Sequence, residues 1–188
     1  MPLESLKLES LSEIPVLPRG AHVALMQKCL VCLDSQKFCK GSPIVVECVG
    51  FPGIAPRTGE AYFLIDWDVT VDDALKAAHA DLVESVEDSA KAIGLLLITK
   101  LTPYTAGRQA LRGTHIDYLL VDKTNEELPF QAETTAEVEF TGILEGIDKI
   151  GERTKNKRER LHAKRDFPVF IVCVEHSFPL ALIERVEP

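Results

Sequence analysis

Polar and apolar residues alternate over two short stretches near the middle of the chain. In Gly113-Thr114-His115-Ile116-Asp117-Tyr118-Leu119-Leu120, an extended backbone sets Ile116, Tyr118 and Leu120 on one side and His115 and Asp117 on the other. In Ala136-Glu137-Val138-Glu139-Phe140-Thr141-Gly142, Val138 and Phe140 oppose Glu137, Glu139 and Thr141. Paired as neighbouring strands, the two stretches bring two or three carboxylates onto one patch, as a hard cation with oxygen ligands requires. The same alternation also describes an antiparallel sheet with one solvated face, so the pattern alone leaves both readings open.

Elsewhere the pattern predicts a mixed α/β order. Residues 1–18 carry scattered apolar positions and prolines, and read as a loosely ordered segment with one short helical turn. Val23, Leu25, Met26, Leu30, Val31 and Leu33 predict a helix from Arg19 to about Gln36. Pro43 to Gly50 and Glu60 to Val69 predict two strands of a hairpin, joined by the Pro/Gly-rich loop 51–59. Thr70 with Asp73 three residues on is a helix-start signal, and Leu75, Ala78, Leu82, Val86, Ala90, Ile93 and Leu97 extend one long helix that stops before Pro103. Thr102 to Arg112 reads as a polar loop. After the second alternating stretch, Gly142 or Gly146 opens a basic helix running to about Lys164. The apolar run Val169-Phe170-Ile171-Val172-Cys173-Val174 predicts a strand covered on both faces, and Leu180 to Val186 a last strand. A strand, a crossover helix and a buried strand imply a parallel pair inside an otherwise antiparallel sheet. The expected fold class is therefore α/β (α+β), one domain with a central mixed sheet flanked by helices, in which residues 1–70 form an extension packed on a core at 71–188.

Composition narrows the setting. A chain of 188 residues with 46% hydrophobic content can bury one sizeable core. No run approaches the ~18 apolar residues of a membrane span, and MPLESLKLES is too acidic for a signal peptide. An odd count of five cysteines suits a reducing compartment, so a cytoplasmic protein is expected. The net charge of -8 argues against a general nucleic-acid coat. Yet Lys149 to Arg165 holds eight basic residues against two acids, a local charge of +6 that leaves -14 for the remainder. Such asymmetry can orient a polyanion, and it also describes a solvated helix face.

Other constellations carry less. Cys29-x2-Cys32 with Cys39 and Cys48 has one close pair and no second, and an apolar helix packs thiols as small hydrophobes rather than as zinc ligands. His115, His162 and His176 offer bases for a hydrolase, but no Gly-x-Ser-x-Gly elbow accompanies them. His176, next to Glu175 at a strand end, reads as a surface residue, Trp67 as a packing aromatic and Cys173 as core.

The order helix, strand with Asp117, strand with Glu139-x-Thr141, helix, strand resembles the core of the PD-(D/E)xK nuclease superfamily, over about residues 71–175. The segments Gly113 to Tyr118 and Glu139 to Gly142 are also similar to a set of bacterial proteins of that fold. The resemblance implies a restriction-endonuclease-like core and metal-assisted hydrolysis of a phosphodiester in nucleic acid, with Asp117 and Glu139 holding Mg²⁺ or Mn²⁺. Glu139 is preferred to Glu137 because it stands two residues before Thr141, which occupies the family's lysine position. Ile116 stands where the family often has proline. The missing lysine matters more, since its ammonium positions the attacking water and stabilises growing phosphate charge. In some related nucleases that lysine has moved to the following helix, which makes Lys155 or Lys157 the candidates here. The family often adds an acid from its first core helix, and Glu87, at the flank of the apolar stripe, is the candidate third ligand; Glu84 lies nearer solvent. The helix from Lys149 to Arg165 would then lie along the phosphate backbone. The same resemblance accommodates a catalytically silent member that serves as a binding or adaptor subunit for a protein partner. The absent lysine and the acidity favour the adaptor, and the intact carboxylates favour the enzyme.

Overall fold

The computed structural model describes residues 3–18, 20–51, 61–125, 128–161 and 165–188. The expected loop from Pro52 to Gly59, His162 and Lys164 lie outside the described residues. In chain order the elements are β1 (Glu4–Lys7), α1 (Ala21–Ser35), β2 (Ser42–Val49), β3 (Ala61–Asp66), α2 (Asp73–Ala78), α3 (Leu82–Leu101), β4 (Tyr104–Gln109), β5 (Tyr118–Asp122), β6 (Ala136–Ile143), α4 (Ile150–Arg160), β7 (Val169–Glu175) and β8 (Leu180–Val186). Short 3-10 turns cover Leu8–Glu13 and Ile147–Lys149.

The apolar run after Pro168 becomes β7, buried at every residue and central to a single mixed sheet of order β1-β3-β2-β8-β7-β6-β5-β4. β6 and β7 run parallel, with α4 as the crossover between them, as the sequence implies. The β2–β3 pair is antiparallel, as expected of a hairpin. Two further parallel pairs, β1–β3 and β2–β8, were not expected and join the N-terminal strands to the rest.

α1 and α3 cover one face, where Ile93, Leu97, Leu30 and Leu33 meet Val138, Phe140, Phe170 and Val172 in the main core. α4 covers the other, where Ile150 packs beside Cys173 and Ile143, and Leu161 beside Val169 and Ile171. Two glycines set how close α3 lies to β6. A Cβ on Gly94 would stand 2.4 Å from the Phe140 ring, and one on Gly142 2.4 Å from the Val86 carbonyl oxygen. The first turns of α3 therefore rest on the C-terminal end of β6.

Several expectations are corrected. Thr102 to Arg112 contains β4, whose buried residues Thr105, Ala106 and Gly107 are too small to register as an apolar run. The long helix is two helices: the Asp72 side chain accepts from the Leu75 N–H to cap α2, and Asp81 accepts from Val83 and Glu84 to cap α3. The apolar stripe continues across that break and conceals it. Residues 3–18 are ordered rather than loose, with Leu6, Leu8 and Leu11 fully buried. The strand expected from Gly113 begins at Tyr118, because Gly113 (φ 87°) and His115 (φ 58°) turn the chain. Ile116 consequently packs on the α4 side with Leu161 and Ile171, away from Tyr118 and Leu120. His176 is 1% exposed, its ring bonded to the Ile143 carbonyl (3.0 Å) and the Ser89 hydroxyl (2.8 Å). Among the described residues, no helix is long and apolar enough to cross a membrane.

Candidate functional site

The β5–β6 ladder ends at the pair Tyr118 and Val138, and Asp117 and Glu139 stand opposite each other one step beyond it. There the strands part. Asp117 N–H still reaches the Val138 carbonyl (2.9 Å), and its carboxylate Oδ2 accepts from the Phe140 N–H (2.8 Å). A side chain thus completes the ladder that β5 is too short to continue, which fixes the Asp117 carboxylate against β6.

Glu139 faces α4 and is 8% exposed. The Lys157 ammonium donates to its Oε1. Burial pushes the Glu139 carboxyl up to about 7; the Lys157 hydrogen bond pulls against that rise, and the Asp117 charge and hydrogen bond add to it. A second ammonium, Lys91 on α3, lies 3.9 Å from Asp117 Oδ1 and 3.5 Å from Asp88 Oδ1. Two carboxylates are therefore flanked by two cations, one from each helix layer. Asp117 and Glu139 open onto a shallow pocket of about 410 Å³, with Gln109, Arg112 and His115 on its wall.

The remaining candidates separate. Lys155 is turned to solvent, 63% exposed and 3.9 Å from Glu159, so of the two lysines only Lys157 reaches the carboxylates. Thr141 is buried beneath α4, two residues beyond Glu139 on the same side of β6. Glu87 accepts from the Gly142 N–H (3.3 Å), an approach that needs the missing Cβ there. It lines a different pocket, of about 520 Å³, with Lys149 and Arg153. Among the described residues, no three His, Cys, Asp or Glu side chains form a group that could hold a metal ion, so Glu87 does not join Asp117 and Glu139 in one ligand set. Glu137 is engaged by Arg165 (3.1 Å). Lys149 just before α4, with Arg153, Lys157 and Arg160 on it, borders a groove of about 330 Å³. Arg158 is tied to Glu184 (2.6 Å).

Cys29 and Cys32 are buried in α1, where burial pushes both thiols up to about 12. Cys173 is buried on β7 and raised likewise, as expected of core.

Sequence reasoning missed Lys91 and Arg112. Lys91 follows Glu87 by four residues, one helical turn along the same flank of α3, so the flank that offered an acid also offered a cation. Arg112 gave no signal, because it sits in a turn whose shape depends on a positive φ at a histidine.

No protein-family model matches the chain, and no curated protein or solved structure was found to match it.

Proposed function

We propose that this protein is a metal-assisted phosphodiester hydrolase acting on nucleic acid, built on a PD-(D/E)xK-like core. One observation carries the reading: α4 delivers the Lys157 ammonium onto Glu139. The cation absent at Thr141 is thereby supplied from the following helix. The order α3, β4, β5, β6, α4, β7, with three antiparallel strands followed by one parallel to the third, supports it.

The donor set suits Mg²⁺ or Mn²⁺, since such ions retain water and need only one or two protein carboxylates beside substrate phosphates. Asp117 raises the proton affinity of Glu139, the repulsion that a bound cation relieves. When bound, the ion would supply Lewis-acid polarisation of a phosphoryl oxygen and a more acidic water. Asp117, locked on the Phe140 N–H, and Glu139 would hold it. Held ionised by the cation, Glu139 would accept a hydrogen bond from the attacking water, whose proton leaves to solvent. Lys157 would stabilise charge growing on the phosphate oxygens as water oxygen bonds to phosphorus and the P–O ester bond breaks. Lys149, Arg153 and Arg160 would track the strand backbone along α4.

A second reading, a catalytically silent binding or adaptor subunit of the same fold, is favoured by one feature. Both carboxylates already have an ammonium beside them, Lys91 and Lys157. Cleavage of labelled single- and double-stranded DNA and RNA with Mg²⁺ or Mn²⁺, against an Asp117→Ala/Glu139→Ala double variant, separates the two. The hydrolase reading expects cleavage lost in the variant, and loss of Mn²⁺ binding in Asp117→Asn. Wild-type protein that cleaves nothing, and Asp117→Asn that binds Mn²⁺ unchanged, would sink it in favour of the adaptor.

A further inference from the structure

The loop between β4 and β5 is held more firmly than a connection of its length needs. The Ala110 N–H closes it on the Asp117 carbonyl (2.9 Å), and the Thr114 hydroxyl folds back to the Leu111 carbonyl (2.8 Å). From behind, Arg165 donates to the Thr114 carbonyl (2.7 Å) while paired with Glu137. Ile116 anchors the loop in the apolar cluster under α4. His115 itself takes a left-handed conformation, φ 58°, uncommon outside glycine.

What this frame presents is two exposed side chains, Arg112 and His115, on the wall of the pocket that holds Asp117 and Glu139. Among the described residues neither has a hydrogen-bond or ion-pair partner. The two acids do not cancel them, because Lys157 and Lys91 stand beside those acids. The pocket therefore keeps an uncompensated guanidinium with an imidazole two positions from the nearer carboxylate. A guanidinium offers forked N–H donors that match phosphate oxygens, and an imidazole adds a further N–H donor.

We propose that the β4–β5 loop is a phosphate-gripping arm, in which Arg112 and His115 hold a backbone phosphate of a nucleic-acid strand next to the carboxylate pair. The proposal rests on reading that pair as a nucleic-acid site, and it adds the group that would fix the strand's register across it. Arg112 provides the main hold, and His115 orients the phosphate toward Asp117.

The test reads binding without catalysis. In EDTA, ring resonances of the histidines, five in wild type and Arg112→Ala and four in His115→Gln, are followed together with the anisotropy of a labelled single-stranded DNA tetranucleotide, while the tetranucleotide, and separately inorganic phosphate as competitor, is titrated into each protein. The expected result is saturable movement of the His115 signals with the tetranucleotide, at least tenfold weaker binding in Arg112→Ala, and a smaller loss in His115→Gln. Equal affinity for inorganic phosphate would assign the arm to a free anion and overturn the strand assignment. His115 signals unmoved at saturation, or wild-type affinity in Arg112→Ala, would overturn the arm itself. Failures of the two readings remain distinct. Binding through His115 with no cleavage in any metal keeps the arm and rejects the hydrolase, whereas cleavage at wild-type kcat/KM in both variants keeps the hydrolase and rejects the arm.

Discussion

Replacing Lys157 by Met removes the ammonium from Glu139 while keeping most of the side-chain volume. The pair is largely buried, with 21% of the Lys157 side chain and 10% of the Glu139 side chain exposed. Removing one partner of a fully buried pair costs about 3–5 kcal/mol, and of an exposed one about 0.2–1 kcal/mol, so about 2 kcal/mol is expected here when Glu139 is ionised. The cost depends on pH, and its sign follows from the raised Glu139 carboxyl. In the unfolded chain Glu ionises near its ordinary value of about 4.3, whereas in the fold it holds its proton up to about 7. Native protein therefore binds more protons than unfolded protein between those values, and this contribution to stability falls as pH rises through that window. Lys157 is what opposes the rise, so without it the fall extends to higher pH. Lys157→Met should thus lose about 2 kcal/mol at pH 8.5, roughly 4–8 °C in Tm for a domain of this size, and only about 0.5 kcal/mol at pH 5.5, where Glu139 is neutral. Urea denaturation followed by the fluorescence of the single tryptophan, Trp67, which packs half-buried against the main core, reads both values. Other titrating groups, His176 included, are common to both proteins and cancel in the difference. Equal destabilisation at the two pH values would refute the placement of Lys157 on a buried, titrating carboxylate.

Two further outcomes follow from packing and burial. Gly94→Val drives a side chain into the Phe140 ring, and urea denaturation should show a net loss of about 2 kcal/mol after the small gain in helix propensity; wild-type stability would mean that α3 does not lie against β6 as described. His176 is held neutral by burial, which lowers its proton affinity, so the unfolded chain binds the extra proton and stability is lost as pH falls through about 6.5. His176→Phe should remove the ring's bonds to the Ser89 hydroxyl and to the Ile143 carbonyl, which keeps the backbone N–H of residue 176, at a cost of about 1–2 kcal/mol, and abolish that acid-side loss, which runs opposite to the Glu139 effect; denaturation midpoints at pH 5.0 and 7.5 check both, and an unchanged pH slope would count against the buried ring.

How much of this was legible depended on whether the information was local. β7 could be read because a strand buried on both faces must be apolar throughout, and the facing of Glu139 because alternation holds along β6, whereas Asp117 precedes β5 and owes its place to the turn before it. β4 could not, since Ala106 and Gly107 owe their burial to close packing of small residues rather than to apolar bulk. The choice between Lys155 and Lys157 sat on the boundary. Two residues on a helix lie ~200° apart, so only one of them can face the sheet. The buried residues Ile150, Thr154 and Leu161 mark the inward stripe, into which Lys157 falls at the spacing of four, three and four. That stripe was hidden because only two of its four members are apolar.

The charge arrangement itself is a tertiary property. α3 and α4 lie on opposite faces of the sheet, and a continuous sheet would keep their side chains apart. β5, however, begins only at Tyr118, which leaves the edge of β6 away from β7 without a strand neighbour beyond Val138. Through that opening Lys91 reaches Asp117 from one layer and Lys157 reaches Glu139 from the other. Lengthening β5 by a regular residue or two would close the opening, so the turn made by Gly113 and His115 is as necessary to the carboxylate pair as the carboxylates themselves. A short strand that weakens the sheet is thus what creates a place where groups from three layers meet, and that is where we expect chemistry to occur.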